Sequence, residues 1–420
     1  MELVIEGISH NGEGVARNEG KVIFVPYAIP GEIVLADIIE EKKKYSRALL
    51  RKIIKNSPYR TEPKCPYYYQ CGGCSYQHVS YEQQLVFKKN ITEETVKRIG
   101  GITVKVLDTI GMQEPWNYRN KVNWHIYESN EGIKMGFYRN QSRQLIQINN
   151  CPLLLPKLNK LSVLIKENLP DINLQEDSSI MLRQSYDSNQ VILEFINCYS
   201  DKKTEKKLTE EIDTIYEKRN GKIKLLAGEG LIKEKAGNCY FLLGAEDFFQ
   251  INPRQYNSMI DTVLNYLNIN KQDKVLDGYC GAGMFALNVA EKVLSVFGID
   301  SSISAIRNAR KNAELNSITN CQFAAGFCES VLSGIKEHFD RVIIDPPRTG
   351  LKPEVISSIV DTSPERIVYV SCNPATLARD FKQFTLNQYQ VLAIQPIDMF
   401  PQTSHIECVV LISKVDNLNI

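Results

Sequence analysis

Residues 274–285 read KVLDGYCGAGMF. The stretch is a strand that runs into a glycine-bearing turn and then a helix. Gly281 and Gly283 let the backbone approach a ligand closely at the helix N-terminus. A G-x-G alone is a weak signal, and a turn of this kind can also serve tight packing only. It gains weight because Asp300 closes the next strand about twenty residues on, where a carboxylate can accept both hydroxyls of a ribose. No third glycine follows three residues after Gly283, where Met284-Phe285-Ala286 stand instead. The loop therefore leans away from a pyrophosphate-bearing dinucleotide and toward a nucleoside without phosphate. S-adenosylmethionine fits.

Outward from this loop the chain alternates strands and helices. Strands are expected at 275–279, 294–300, 321–325, 341–345, 366–372, 389–394 and 406–413, with helices at 282–292, 303–316 and 374–385. That alternation argues for an α/β Rossmann-like domain with a mostly parallel seven-stranded sheet. The last two strands have no helix between them and should pair antiparallel.

In such a sheet the ligand lies beyond the carboxyl ends of the strands. The fourth strand ends in Asp345-Pro346-Pro347-Arg348 and the fifth in Ser371-Cys372-Asn373-Pro374. An Asp-Pro-Pro motif is also found in amino-methyltransferases, but an aromatic residue follows it there and Arg348 follows it here. Cys372 suggests another chemistry. C5 of uracil is too weak a nucleophile to take a methyl group directly; a thiolate adding to C6 makes an enolate whose C5 can. A base must then remove the C5 proton. Glu407, opening the last strand before CVVLIS, is out of place in a buried strand unless it works. Taken singly, Cys372 reads equally as a packed thiol and Glu407 as a solvated strand end.

The chain has 420 residues, a net charge of +1 and 43% hydrophobic residues. It is expected to hold two or three domains and to be a cytoplasmic protein without a membrane partner. Residues 1–56 carry short alternating apolar runs between Gly and Pro turns, as in a small barrel. From Lys42 to Arg60 there are eight Lys/Arg and no acid, either a solvated face or a phosphate-contacting patch interleaved with Tyr45 and Tyr59. Helices are expected at about 80–98 and, strongly charged, near 203–218. Tyr118, Arg119, Tyr138 and Arg139 are candidates for stacking or phosphate-backbone contact, and read equally as surface residues.

Eleven cysteines in a chain of this kind point to metal binding or catalysis before disulfides. Cys65, Cys71 and Cys74, in PKCPYYYQCGGCSYQH, have ligand-like spacing. Cys151, followed by Pro152, is a plausible fourth ligand and His78 a weaker one. Four thiolates suit zinc, and a cysteine followed by proline also suits iron–sulfur ligation.

IIDPPRTGL, VSCNPATLARD, DMFPQTSHIECVVL and FFQINPRQ together resemble the motifs of the RNA uracil-C5 methyltransferase family, which makes 5-methyluridine in tRNA and ribosomal RNA. The resemblance covers nearly the whole chain. It implies Cys372 as nucleophile and Glu407 as base, and Gln250, Tyr279, Asp300 and Asp345 at cofactor-binding positions, with aspartate at 300 where some members have glutamate. It implies a [4Fe-4S] cluster on Cys65, Cys71, Cys74 and Cys151. GEGVAR…VIFVPYAIPGE resembles the TRAM RNA-binding barrel of the ribosomal-RNA members, which the bacterial tRNA type lacks. The expectation is thus a TRAM (OB-like) barrel over 1–58, a central α+β domain over 59–245 and a methyltransferase domain over 246–420, the helix near 80–98 packing on the last. The expected substrate is a loop of 23S ribosomal RNA, with tRNA as the alternative substrate, cytosine-C5 methylation as the alternative reaction, no DNA partner and a monomeric enzyme.

Overall fold

A computed structural model describes residues 1–415 except 131, 141 and 336. Three sheets of six or more strands organise the described chain, with a two-stranded hairpin beside them.

The first sheet runs in the order Glu2–Val4, Ile33–Glu41, Tyr45–Lys55, Lys21–Val25, Gly14–Asn18, Gly7–Ile8. The Glu6 amide donates to the Val15 carbonyl at 2.9 Å and draws the two ends together. Alternation puts Leu3, Ile23, Val25, Val34, Ala36 and Ala48 inside, as the period-two pattern requires.

The central sheet has seven strands, in the order Leu145–Gln147, Gly132–Tyr138, Lys121–Ser129, Ile172–Gln184, Val191–Ser200, Thr214–Arg219, Lys222–Ala227. The charged helix expected near 203–218 covers only Lys202–Leu208. Thr214-Ile215-Tyr216, β-branched and aromatic, instead enter a strand parallel to Val191–Ser200. A helix not anticipated, Pro156–Glu167, opens on a proline at its first turn and buries Leu158, Leu161 and Ile165 against this sheet.

The third sheet runs Cys321–Ala325, Ser295–Asp300, Lys274–Gly278, Arg341–Ile344, Arg366–Ser371, Glu407–Lys414, Tyr389–Ile397, Lys105–Val106. The seven expected strands are present, five of them parallel and the last two antiparallel. An eighth, Lys105–Val106, adds parallel at the edge. It is too short to announce itself in the sequence. The helices Met284–Ala290, Ile303–Leu315 and Pro374–Leu386 fall where strand–helix alternation puts them. The hairpin Ile232–Ala236/Cys239–Leu243 buries Ile232, Phe241 and Leu243 in the same core as Val275 and Phe285. The helix Tyr81–Thr95 leads through Val96 into the core on the other face of this sheet.

Candidate functional site

The strand Lys274–Gly278 is fully buried past its first residue, and the turn behind it is held in left-handed backbone: Tyr279, Gly281 and Gly283 have φ of 65°, 54° and 92°. For Tyr279, which carries a side chain, that conformation is strained. Asp277 accepts the Ala286 amide at 2.9 Å and so ties the strand to the first turn of the following helix. Its other oxygen is buried without a partner among the described residues. Asp300 accepts from the Gly281 and Ser302 amides at 3.0 and 2.8 Å, which fixes the carboxylate across the mouth of the turn. Asp345 follows the strand Arg341–Ile344 and donates its amide to the Gly278 carbonyl. Gln250 is buried before the helix Tyr256–Leu267, its carbonyl accepting from the Tyr256 hydroxyl at 2.7 Å.

Cys372 lies one residue past the strand Arg366–Ser371. Ser371 pairs with Cys408 in antiparallel register, so the next step of that register sets Cys372 against Glu407, and cross-strand neighbours share a face. The thiol is half-buried and the carboxylate buried. Burial and then the Glu407 carboxylate push the Cys372 thiol up to about 11, and the Arg348 guanidinium, which hydrogen-bonds it, pulls the other way. Burial and then Asp345 push Glu407 well above the usual carboxylate range, with Arg348 again opposing. Burial also pushes Asp345 up, to about 7. One guanidinium thus serves a thiol and a carboxylate. The sequence signalled Arg348 only as a missing aromatic; its electrostatic task becomes visible once Asp345, Cys372 and Glu407 converge.

The loop carrying Arg348 is clamped by the helix that begins after Cys372. Asn373 and Thr376 donate to the Arg348 carbonyl at 3.1 and 3.3 Å, Arg379 donates to the Thr349 and Leu351 carbonyls, and Asp380 accepts from the Leu351 amide at 2.8 Å.

Cys65, Cys71, Cys74 and Cys151 all line one cavity of about 470 Å³, together with Arg119 and Tyr138. The Gly73 amide donates to the Cys71 sulfur. Gly72 keeps this turn close to its neighbour: a Cβ there would press on the Asn140 backbone at 3.1 Å. Asn159 brackets Cys151 by bonding both its amide and its carbonyl. Burial pushes all four thiols up, Cys151 to about 11. Among the described residues no group of three or more His, Cys, Asp or Glu is set closely enough to hold a metal ion. The expected [4Fe-4S] site is therefore not shown as a metal-binding group: the four cysteines share the lining of one cavity. His78 lies outside that lining, its Nδ1 taken by the Tyr68 hydroxyl at 2.6 Å.

The basic run 42–60 is less bare than its sequence. Arg47 pairs with Glu13 and Arg60 with Glu32, both acids lying in turns just before strands, and Arg51 pairs with Asp37 on the neighbouring strand. Lys43, Lys44, Lys52 and Lys55 are exposed. Tyr118 is buried, so it is no RNA-stacking surface, whereas Tyr138 and Arg139 are exposed. Among the described residues no helix is long and apolar enough to cross a membrane.

The profile of tRNA (Uracil-5-)-methyltransferase matches residues 80–415, and that of the TRAM domain residues 1–50. An RNA methyltransferase of Bacillus cereus is 36% identical over 99% of this chain and 97% of its own length. One of Clostridium acetobutylicum is 34% identical over 99% of this chain and 97% of its own. The crystal structure of the Pyrococcus abyssi tRNA (uracil-54, C5)-methyltransferase with S-adenosyl-L-homocysteine superimposes with a TM-score of 0.77 and 28% identity, covering 98% of this chain and 100% of that one.

Proposed function

This chain belongs to the tRNA (uracil-5-)-methyltransferase family, and from that membership we propose that it methylates C5 of a uridine in RNA through a covalent adduct on Cys372. One observation carries the reading: Cys372 and Glu407 each adjoin a member of the last Ser371–Cys408 pair of the ladder, at the open end of the sheet, with Arg348 acting on both.

S-adenosylmethionine supplies an electrophilic methyl group. Asp300 accepts its ribose hydroxyls, and Gln250, Tyr279 and Asp345 complete the lining; the two backbone amides already on Asp300 keep that carboxylate oriented. The Cys372 thiolate, stabilised by Arg348, forms a bond to C6 of uracil. The C5–C6 π pair moves to C5 as an enolate. C5 takes the methyl group, and the sulfur–methyl pair stays on S-adenosylhomocysteine. Glu407 then removes the C5 proton; the C–H pair restores the C5–C6 double bond, and the C6–S bond breaks to return the thiolate. Attack on C6 requires an unstacked base, so the uridine comes from a loop or is flipped out. Nucleoside mass spectrometry of reacted RNA tests the product: 5-methyluridine supports the reading, and 5-methylcytidine overturns it.

We assign the RNA to a loop of 23S ribosomal RNA, captured by the TRAM barrel with Lys43, Lys44, Lys52 and Lys55. The Pyrococcus neighbour favours a second reading, a tRNA uridine, because a chain matched over its full length acts on tRNA. Mapping 5-methyluridine in total RNA with and without the gene decides between them.

We propose that this cavity holds a [4Fe-4S] cluster; the support is that four cysteines line one space of about 470 Å³. Buried thiols pushed upward ionise only against strong positive charge, and a [4Fe-4S] cube holds its thiolates on the outer corners of a body that needs such a space. Cys65, Cys71, Cys74 and Cys151 would hold it, as a structural element far in sequence from Cys372. Anaerobically purified protein should be brown and carry about four iron per chain; colourless protein with stoichiometric zinc contradicts the assignment.

A further inference from the structure

The residue after Cys74 reaches the loop that delivers Glu407. Asp398–Thr403 turns the chain between the last two strands, and Gln402 sits in it with φ of 69°, a left-handed conformation that a side chain of this kind adopts only when its surroundings impose it. The Gln402 carbonyl accepts from the Ser75 and Tyr76 amides at 3.1 and 3.0 Å. Its side chain accepts from Gln84 Nε2 at 3.0 Å, and its amide donates to Gln84 Oε1 at 3.1 Å. The Ser404 amide donates to the Ser75 hydroxyl at 2.7 Å, and the His405 amide to the Thr403 hydroxyl at 3.2 Å. Gln84 and Gln402 are both buried, so these bonds have no competing water and losing one is costly. The segment ends two residues later at Glu407.

We propose that Ser75, Gln84 and Gln402 form a clamp that positions Glu407 for removal of the C5 proton. Ser75 and Gln84 are positioning residues: they act through the loop. The inference rests on Glu407 being the base. It links the cysteine cavity to the reaction by placement, since Ser75 adjoins Cys74. A misplacement of the base slows only the step that frees Cys372, and leaves addition and methyl transfer intact.

The test uses the full-length protein, S-adenosylmethionine, and unmodified transcripts of 23S ribosomal RNA and of tRNA, made with uridine or with 5-fluorouridine. Fluorine cannot leave C5 as a proton does, so the fluorinated transcript reports adduct formation alone. Ser75→Ala is expected to lower kcat about 10- to 100-fold with KM unchanged and to accumulate a protein–RNA adduct on the uridine transcript. It should match wild type on the fluorinated one, and Ser75→Thr should restore turnover. Where Ser75→Ala fails to fold, Gln402→Gly, which suits the positive φ but lacks the side chain, carries the same expectation. Wild-type turnover without adduct, or slowed adduct formation on the fluorinated transcript, in a folded variant overturns the clamp. Glu407→Gln run in parallel separates the two claims. Adduct in Glu407→Gln but not in Ser75→Ala overturns the clamp alone; no adduct in Glu407→Gln overturns the base assignment, and the clamp with it.

Discussion

Cys372 stands across from Glu407: Ser371 pairs with Cys408 at the end of an antiparallel ladder, and one further step of that register brings thiol and carboxylate to the same face. The proposed nucleophile and base are thus carried by two strands that hydrogen-bond to each other, a more rigid frame than two loops would give. The helix Pro374–Leu386 begins just after the thiol and also grips the loop that carries Arg348, so the charge that favours the thiolate moves with it.

Glu407→Gln removes the base and keeps the shape. Turnover should fall on the order of 10² to 10⁴-fold, while denaturing gels show a protein–RNA band that wild type does not accumulate. Full turnover by the variant would assign the proton to another group.

The rate of adduct formation should climb with pH from 6 to 9. The thiol is pushed up to about 11, first by burial, so its reactive fraction grows throughout that range. Asp345, pushed up by burial to about 7, loses its proton within that range, and its negative charge holds the thiol up, so the climb is shallower than an isolated thiol would give. Arg348→Gln removes a charge that lowers the Cys372 value, so its thiol should ionise at still higher pH. A shift of one unit makes the variant about tenfold slower at a fixed pH below the thiol value. A pH profile unchanged by Arg348→Gln would show that the guanidinium does not act on the thiol.

Asp300→Ala should weaken binding of S-adenosylmethionine by about 2 kcal/mol, roughly 30-fold, with little change in RNA affinity. Isothermal titration against S-adenosylhomocysteine reads this directly. An unchanged Kd would remove the ribose contact from the account.

Lys88 and Asp398 form a fully buried ion pair at 2.5 Å. Asp398 also accepts from the Tyr81 hydroxyl at 2.9 Å and the Phe400 amide at 3.1 Å. Lys88→Met leaves that carboxylate without its cation and should cost about 3–5 kcal/mol, read as a lower urea midpoint. A change below about 1 kcal/mol would mean that the other donors suffice.

The sequence revealed the parts of this molecule that repeat a pattern. Strand–helix alternation fixed seven strands of the third sheet, and Gly281, Gly283 and Asp300 marked the turn proposed to face the ligand. Lys105–Val106 stayed hidden because two residues carry no period. The strand Thr214–Arg219 was absorbed into a charged helix because its Glu and Lys read as a solvated face, while its partner strand lay some twenty residues earlier in the chain. The acids that neutralise Arg47, Arg51 and Arg60 come from earlier parts of the chain, so the basic run looked more exposed than it is. Ser75, Gln84 and Gln402 were invisible for the same reason: their bonds join positions more than 300 residues apart.

The central claim is that Cys372 adds to C6 of a uracil. Intact mass spectrometry of the enzyme incubated with S-adenosylmethionine and a 5-fluorouridine transcript tests it directly, followed by digestion to locate the modified peptide. A methylated nucleotide adduct on Cys372, absent in Cys372→Ala, is the expected result. Methylation of ordinary RNA by Cys372→Ala, or an adduct on any other residue, would contradict it.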